Sequence, residues 1–67
     1  MENIPTRFEV RDDQGAVIAY RPKIEEALAI ARGEKDTQVT VFDTMAKRGA
    51  PLEWGRDGTV LREKPRR

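Results

Sequence analysis

Apolar and polar residues alternate near the start of the chain, and this pattern predicts a β-hairpin. Residues 6–11 (TRFEVR) place Phe8 and Val10 on one face and charged side chains on the other, which is typical of a half-buried strand. The run 12–15 (DDQG) is turn-forming, because Asp bonds to nearby backbone amides and Gly allows positive φ. Residues 16–20 (AVIAY) are then apolar on both faces. The sequence therefore predicts two antiparallel strands, of which the second is the more central.

A helical period replaces this alternation between residues 22 and 32. Pro22 is tolerated in a first helical turn, and Gly33 is a typical C-terminal stop. Glu25 and Glu26 near the start and Arg32 near the end suit the helix dipole. Apolar residues recur at the spacing of a single helix face: Ile24, Ala27, Leu28 and Ala31. The sequence therefore predicts one short amphipathic helix.

A third strand is predicted after the helix. Residues 37–42 are rich in β-branched side chains, and their alternation places Val39 and Val41 towards the helix and Phe42 on the opposite side. Residues 43–51 fit either a helical turn or a loop.

Signals for a second hairpin follow. Residues 52–54 are a candidate short strand, residues 55–58 a turn, and residues 59–62 a last strand. The predicted fold class is therefore a small α+β domain, with an antiparallel sheet in the order β-β-α-β-β, one extra short strand left open, and a single helix on one face. The predicted core joins the helix stripe to side chains from every strand: Phe8, Val10, Ile18, Tyr20, Val39, Val41, Trp54 and Leu61.

Chain length limits what this fold can bury. A domain of 67 residues hides only about 60% of the surface that its unfolded chain exposes. We expect an N-terminal tail at 1–5, a single domain at 6–62, and a disordered basic tail at 63–67. No apolar run reaches the roughly 20 residues of a membrane span, so neither a membrane nor a secretory route is expected, and the predicted location is cytoplasmic.

Composition removes most catalytic chemistry. The chain has no Cys, no His and no Ser, which are the residues that supply most nucleophiles and proton shuttles. Asp12 and Asp13, with Asp57 from the second turn, are the most plausible oxygen ligands for a cation, although turn formation explains all three more simply. We therefore expect no enzyme, catalytic residue, cofactor, metal or small-molecule substrate.

Two binding functions remain. One helix shields only one side of a sheet, so the far side is expected to bind a protein partner or a second copy of the chain, unless Met45 or Trp54 folds under and covers it. A free strand edge is a second possible docking surface. The residues expected at the protein-binding face are Val17, Ala19, Phe42 and Trp54.

The alternative function is nucleic-acid binding. Residues 43–67 carry seven basic and four acidic side chains, whereas residues 1–42 carry six and eight. Clustered cations neutralise phosphates and give salt-dependent affinity. The residues expected at this alternative site are Lys47, Arg48, Arg56, Arg62, Lys64, Arg66 and Arg67.

Overall fold

The computed structural model describes residues 4–35 and 37–66 of the chain. Five strands and one helix form a small α+β fold. The elements are β1 (Phe8–Arg11), β2 (Val17–Arg21), α1 (Ile24–Gly33), β3 (Thr40–Asp43), β4 (Pro51–Gly55) and β5 (Val60–Glu63). This order, β-β-α-β-β-β, differs from the predicted β-β-α-β-β by β4, the segment that the sequence left open as a short strand. Within the described residues, no helix has the length and apolar character that crossing a bilayer requires.

The strands form one open antiparallel sheet in the spatial order β2-β1-β3-β4-β5. The helix connection carries the chain back over the sheet, so β3 pairs with the free side of β1. This arrangement makes β1 an interior strand and leaves β2 and β5 at the two edges of the described sheet. The prediction that the second strand is the more central one is therefore wrong.

The predicted amphipathic helix is confirmed, with its start at Ile24 rather than Pro22. Lys23 precedes it in an extended conformation and gives no side-chain cap. The buried stripe Ala27, Leu28 and Ala31 packs against β1, β2 and β3. The other side chains of this core are Phe8 and Val10 of β1, Val39 directly before β3, and Val41 within β3.

The predicted phase of β2 is wrong. Val10 opposes Ala19 in the β1–β2 ladder, so Ala19 lies on the helix side and packs against the core. Tyr20, which opposes Glu9, consequently lies on the far side, and Ile18 and Tyr20 are each 44% exposed rather than buried. A segment that is apolar on both faces contains no periodic signal to fix its phase. Leu61, also predicted to be core, is 54% exposed.

β4 completes the helix side of the sheet. Trp54 opposes Val41, and its ring meets that of Phe8 edge-on, with centroids 6.1 Å apart. Leu52, two residues earlier in β4, is buried. Trp54 is therefore part of the candidate short strand and packs against the core, as predicted, whereas its expected place on the protein-binding face is wrong.

Turns and a last strand that is shifted by one residue from the predicted one account for the remaining chain. The stretch between Asp43 and Ala50 forms turns rather than a helix, with the Ala46 amide donating to the Asp43 carbonyl (3.3 Å). The last strand includes Glu63, and the Lys64 amide donates to the Ala50 carbonyl (2.8 Å). Hydrogen-bonded structure therefore continues beyond residue 62, where the folded domain was predicted to end.

Candidate functional site

The centre of the far face, the sheet surface opposite the helix, is covered by the chain's own charged side chains. The guanidinium of Arg11 lies over the ring of Phe42, 4.0 Å from its centroid, and that of Arg62 lies 5.9 Å away. Arg11 donates to Glu9 through Nε (2.9 Å) and Nη2, and Arg62 donates to Glu53 (3.0 Å). We call these five residues the far-face cluster. It has no net charge, and each of its cations has both an aromatic and a carboxylate partner.

This cluster changes the predicted protein-binding surface. Phe42 does lie on the far side, as expected, but it is half-buried beneath the arginines. Ala19 and Trp54 lie on the helix side. Neither Met45, which is 51% exposed, nor Trp54 folds under the sheet. The centre of the far face is therefore neither bare apolar surface nor covered by a loop.

Three exposed apolar side chains lie on β2, at one edge of the sheet. Ile18 and Tyr20 are each 44% exposed and Val17 is 36% exposed. A bulge in the ladder pairs Val17 with the far-face residue Arg11, so Val17 holds its predicted side. Sequence reasoning missed Ile18 and Tyr20 because it placed both of them in the core.

The backbone of β1 determines which amides of β2 are free. The Thr44 amide donates to the Arg7 carbonyl at 2.9 Å, in register with the β1–β3 ladder. Successive residues of a strand bond to opposite neighbours, so Arg7 bonds towards β3, whereas Phe8 and Val10 bond towards β2.

In β2, the residues opposite Phe8 and Val10 are Arg21 and Ala19. The amide and carbonyl groups of Arg21 and Ala19 are therefore directed at β1. By the same alternation, those of Tyr20 are directed away from the sheet, whereas Ile18 is the extra residue of the bulge between Val10 and Arg11, where the alternation is interrupted. We call β2, with these outward groups and its exposed side chains, the β2 edge.

β5, at the opposite edge of the sheet, has more of the features that discourage the addition of a further strand. β5 carries Arg62 and Glu63 within the strand, and Lys64 and Pro65 directly after it. Its ladder with β4 is interrupted by two irregularities. Charges, Pro and bulges all discourage strand addition. β2 has fewer of these features, since it carries one charge, Arg21, at its end, one bulge beside Ile18, and Pro22 directly after it.

A second feature lies at the end of the sheet where β1 begins and β3 and β5 end. The Gly49 amide donates to the Lys64 carbonyl (2.8 Å), which joins the β3–β4 loop to the C-terminal segment. Gly49 has φ +81°, and a Cβ there would lie 3.2 Å from Cζ of Arg66. The absence of a side chain at Gly49 therefore allows the guanidinium of Arg66 to lie against the loop backbone.

This junction brings four exposed cations onto adjoining segments. Among the residues that the structure describes, none of the four forms an ion pair with a carboxylate. We call this group the basic end, and its members are Lys47, Arg48, Lys64 and Arg66.

The other residues of the predicted nucleic-acid site lie elsewhere. Arg62 belongs to the far-face cluster. Arg56 lies at the opposite end of the sheet, where it donates to the Lys35 carbonyl (3.4 Å). Arg67 lies outside the described residues. The structure therefore divides the predicted set of seven instead of gathering it on one face.

A buried ion pair supports the loop of the basic end. Asp43 is the only buried charged residue of the described chain, at 4% exposure, and it receives two bonds from Arg7, each 3.1 Å. Its Oδ1 also accepts from the Met45 amide (2.9 Å). These bonds raise the pKa of Arg7 further above its ordinary value. Sequence reasoning missed this pair, although the alternation of Val39 and Val41 continues in phase to Asp43.

The acidic turns at the other end use their carboxylates internally. Asp12 Oδ1 accepts from the amides of Gln14 and Ala16, both at 2.9 Å. Asp57 Oδ1 accepts from the Thr59 amide (3.0 Å), a bond that lowers the pKa of Asp57 below its ordinary value. Within the described residues, no three acidic side chains lie close enough together to hold a metal ion. The turns therefore account for these aspartates.

Two shallow grooves lie beside these turns, with volumes of about 350 and 320 Å³. Gln38 and Thr40 line both of them, while Asp57 lines the first and Asp12 and Asp13 the second. The predicted cation ligands are thus divided between two open grooves. No family model, curated protein or solved structure matches the chain. The proposals that follow therefore rest on the geometry of the β2 edge and the basic end.

Proposed function

We infer that this protein is a non-catalytic interaction module that binds a protein segment along the β2 edge. The observation that carries this proposal is an edge strand on which the outward backbone groups of Tyr20 lie beside the exposed apolar side chains of Val17, Ile18 and Tyr20. An extended segment that adds to a sheet edge gains affinity from main-chain hydrogen bonds and specificity from alternate side chains. The β2 edge offers both.

The rest of the far face favours docking at the edge over docking at the centre. The cations of the far-face cluster already have carboxylate and aromatic partners. A partner covering Phe42 would have to displace or desolvate these charged groups, which is unfavourable. At the β2 edge, a partner would instead cover Val17, Ile18 and Tyr20.

A selection from a displayed library of random short peptides tests this proposal. Selected peptides are expected to be extended and to shift the amide resonances of Ile18 and Tyr20 most strongly. Ile18→Lys should abolish their binding, because a charge would then lie among the apolar contacts. Leu61→Lys on β5 is the matched control and should leave binding unchanged. Peptides whose binding survives Ile18→Lys and is lost in Leu61→Lys would refute the assignment of the edge.

The basic end favours a second candidate function, which is binding of a nucleic-acid backbone. Four exposed cations without carboxylate partners in the described chain lie on two segments that backbone hydrogen bonds hold together. Each contact with a phosphate would release a counterion, so affinity should fall steeply between about 50 and 200 mM salt. The proposal does not involve Arg56 or Arg62, which lie outside this end.

Titration of a short single-stranded DNA and RNA by fluorescence anisotropy tests this candidate. Replacing Lys47 and Arg48 by Gln should weaken binding and make the salt dependence shallower by about two phosphate contacts. Arg56→Gln is the matched control, since it removes one cation at the opposite end. Equal losses in both variants would mean that net charge, and not the basic end, drives the binding. No binding at low salt would remove the candidate.

A further inference from the structure

We propose that the partner of the basic end is the phosphate backbone of a nucleic-acid duplex, which lies across the end of the sheet and also contacts Arg21 and Lys23. This inference rests on the second candidate function, because it extends the same site and names the form of nucleic acid. Neither residue belongs to the set that the sequence assigned to nucleic acid. The fold adds them, because the end of β2 lies at the same end of the sheet.

The sheet topology places Arg21 and Lys23 beside the start of β1. Arg21 is the last residue of β2 and opposes Phe8, the first residue of β1. Phe8 also opposes Asp43, the last residue of β3, and the loop that follows Asp43 is bonded to the segment after β5. The cations at this end therefore form a row that crosses the ends of the strands from β2 to β5. We call it the cationic row, and its members are Arg21, Lys23, Lys47, Arg48, Lys64 and Arg66.

The length and charge of the cationic row match one strand of a nucleic acid. Neighbouring strands of a sheet lie about 4.8 Å apart, so the four intervals between β2 and β5 span about 19 Å. Six cations over this length correspond to about one per 3 Å, and each strand of a duplex carries one phosphate per 3.4 Å or so. All six residues are exposed, and none of them forms an ion pair within the described residues. Each can therefore contact a phosphate.

The aromatic residues favour a duplex over a single strand. Proteins that bind single strands stack successive bases on aromatic side chains. Of the four aromatic residues of the chain, Phe8 is buried and packs against Trp54, and Phe42 lies beneath Arg11. The fourth, Tyr20, is 44% exposed and lies at one end of the cationic row. The row therefore offers contacts along a backbone, but no series of surfaces on which bases could stack.

The charge distribution favours one orientation of the protein on a duplex. Three carboxylates lie on the segments of the cationic row, namely Glu25 and Glu26 in the first turn of α1 and Glu63 in β5. They leave its six cations in excess. At the opposite end, the described residues of the two turns and of the end of α1 carry four carboxylates and three cations. Electrostatic steering would therefore turn the cationic row towards the phosphates.

Fluorescence anisotropy with a short DNA duplex tests the row through two double variants of equal charge. Arg21→Gln with Lys23→Gln removes two members of the row, and Arg32→Gln with Lys35→Gln removes two exposed cations at the opposite end. Six phosphate contacts predict that affinity falls about a thousandfold between about 50 and 200 mM salt. The first variant should reduce this fall to about a hundredfold, since four contacts remain. The second should retain the salt dependence of the natural chain.

Thermal melts of both variants check that the fold is intact, and the separated strands of the same duplex should bind more weakly than the duplex. Equal salt dependence in the two variants would overturn the contacts of Arg21 and Lys23. Tighter binding of a separated strand would overturn the choice of a duplex. In either case, weaker binding after replacement of Lys47 and Arg48 by Gln would leave the second candidate function standing. Absence of binding to every probe at low salt would remove both.

Discussion

Replacing Asp43 by Ala tests whether the buried ion pair holds the β1–β3 junction and the loop after it. Asp43 receives two bonds from Arg7 and one from the Met45 amide. The substitution removes all three hydrogen bonds without changing any core hydrophobe. The Arg7 side chain is 43% exposed, so water can replace much of what its guanidinium loses. The Met45 amide has no such replacement within the turn.

The expected cost follows from these contacts. A hydrogen bond to a charged group contributes roughly 1.5–3 kcal/mol when it is shielded and a neutral one about 1 kcal/mol; solvation of Arg7 reduces the first figure to about 1 kcal/mol. Asp43→Ala should therefore cost about 2 kcal/mol. A chain of this length has a total stability of about 3–10 kcal/mol. The melting temperature should fall by about 8–16 °C.

Urea unfolding of four proteins checks this reasoning: the natural chain, Asp43→Ala, Arg7→Ala and the double variant. Arg7→Ala should cost at least as much as Asp43→Ala, because it leaves a buried carboxylate without its cation. The double variant should be more stable than the sum of the single losses predicts, by about 1 kcal/mol. Asp43→Asn, which keeps an acceptor for Met45, should lose about half as much as Asp43→Ala. A loss below about 0.5 kcal/mol in Asp43→Ala, or additive single losses, would refute the argument.

Three further predictions concern the core rim and the turns. Trp54→Ala should lower the free energy of unfolding by about 2–3 kcal/mol, less than the roughly 3–5 kcal/mol of a fully buried aromatic residue, as measured in urea. Gly15→Ala should lower the free energy of unfolding by about 1 kcal/mol, because φ at Gly15 is +84°. Gly33→Ala, in the helix, should raise it by about 0.5–1 kcal/mol. Thermal melts distinguish the two signs. Because the pKa of Asp57 is lowered in the folded chain, its ionised side chain adds stability to the fold above its unfolded pKa of about 3.9. This stability is lost as pH falls through the pKa of the folded state. The Thr59 amide should lose protection in acid in the natural chain and become insensitive to pH in Asp57→Asn.

The sequence alone was sufficient to predict the elements in which apolar residues recur at a clear helical or strand period. The helix stripe at Ala27, Leu28 and Ala31 has a spacing that only a helix places on one face, and all three residues are buried. The alternation of Phe8 and Val10 likewise gave β1 its buried side correctly. In both elements, polar residues on the opposite face make the phase unambiguous.

The same reasoning fails where both faces are apolar. β2 has no polar residue between Val17 and Tyr20, so local pattern cannot distinguish a central strand from an edge strand. Its position depends on the path of the chain after α1, which brings β3 beside β1. Its phase depends on a bulge near Arg11. Both are long-range properties that one strand's composition does not contain.

The far side of the sheet shows how a single-helix fold protects a surface that the helix does not cover. The expectation of bare apolar surface followed from counting apolar residues. It overlooked the charged residues that β1, β4 and β5 place on the far side of the sheet. Those charges include Arg11 and Arg62, whose long side chains lie over Phe42 while their charges remain paired at the surface. β2 has no charged residue between Val17 and Tyr20, and its Val17, Ile18 and Tyr20 side chains are exposed. The unprotected part of the sheet is therefore also the part whose backbone is free to pair, and for this reason the β2 edge, rather than the centre of the sheet, is the surface that the proposed protein interaction uses.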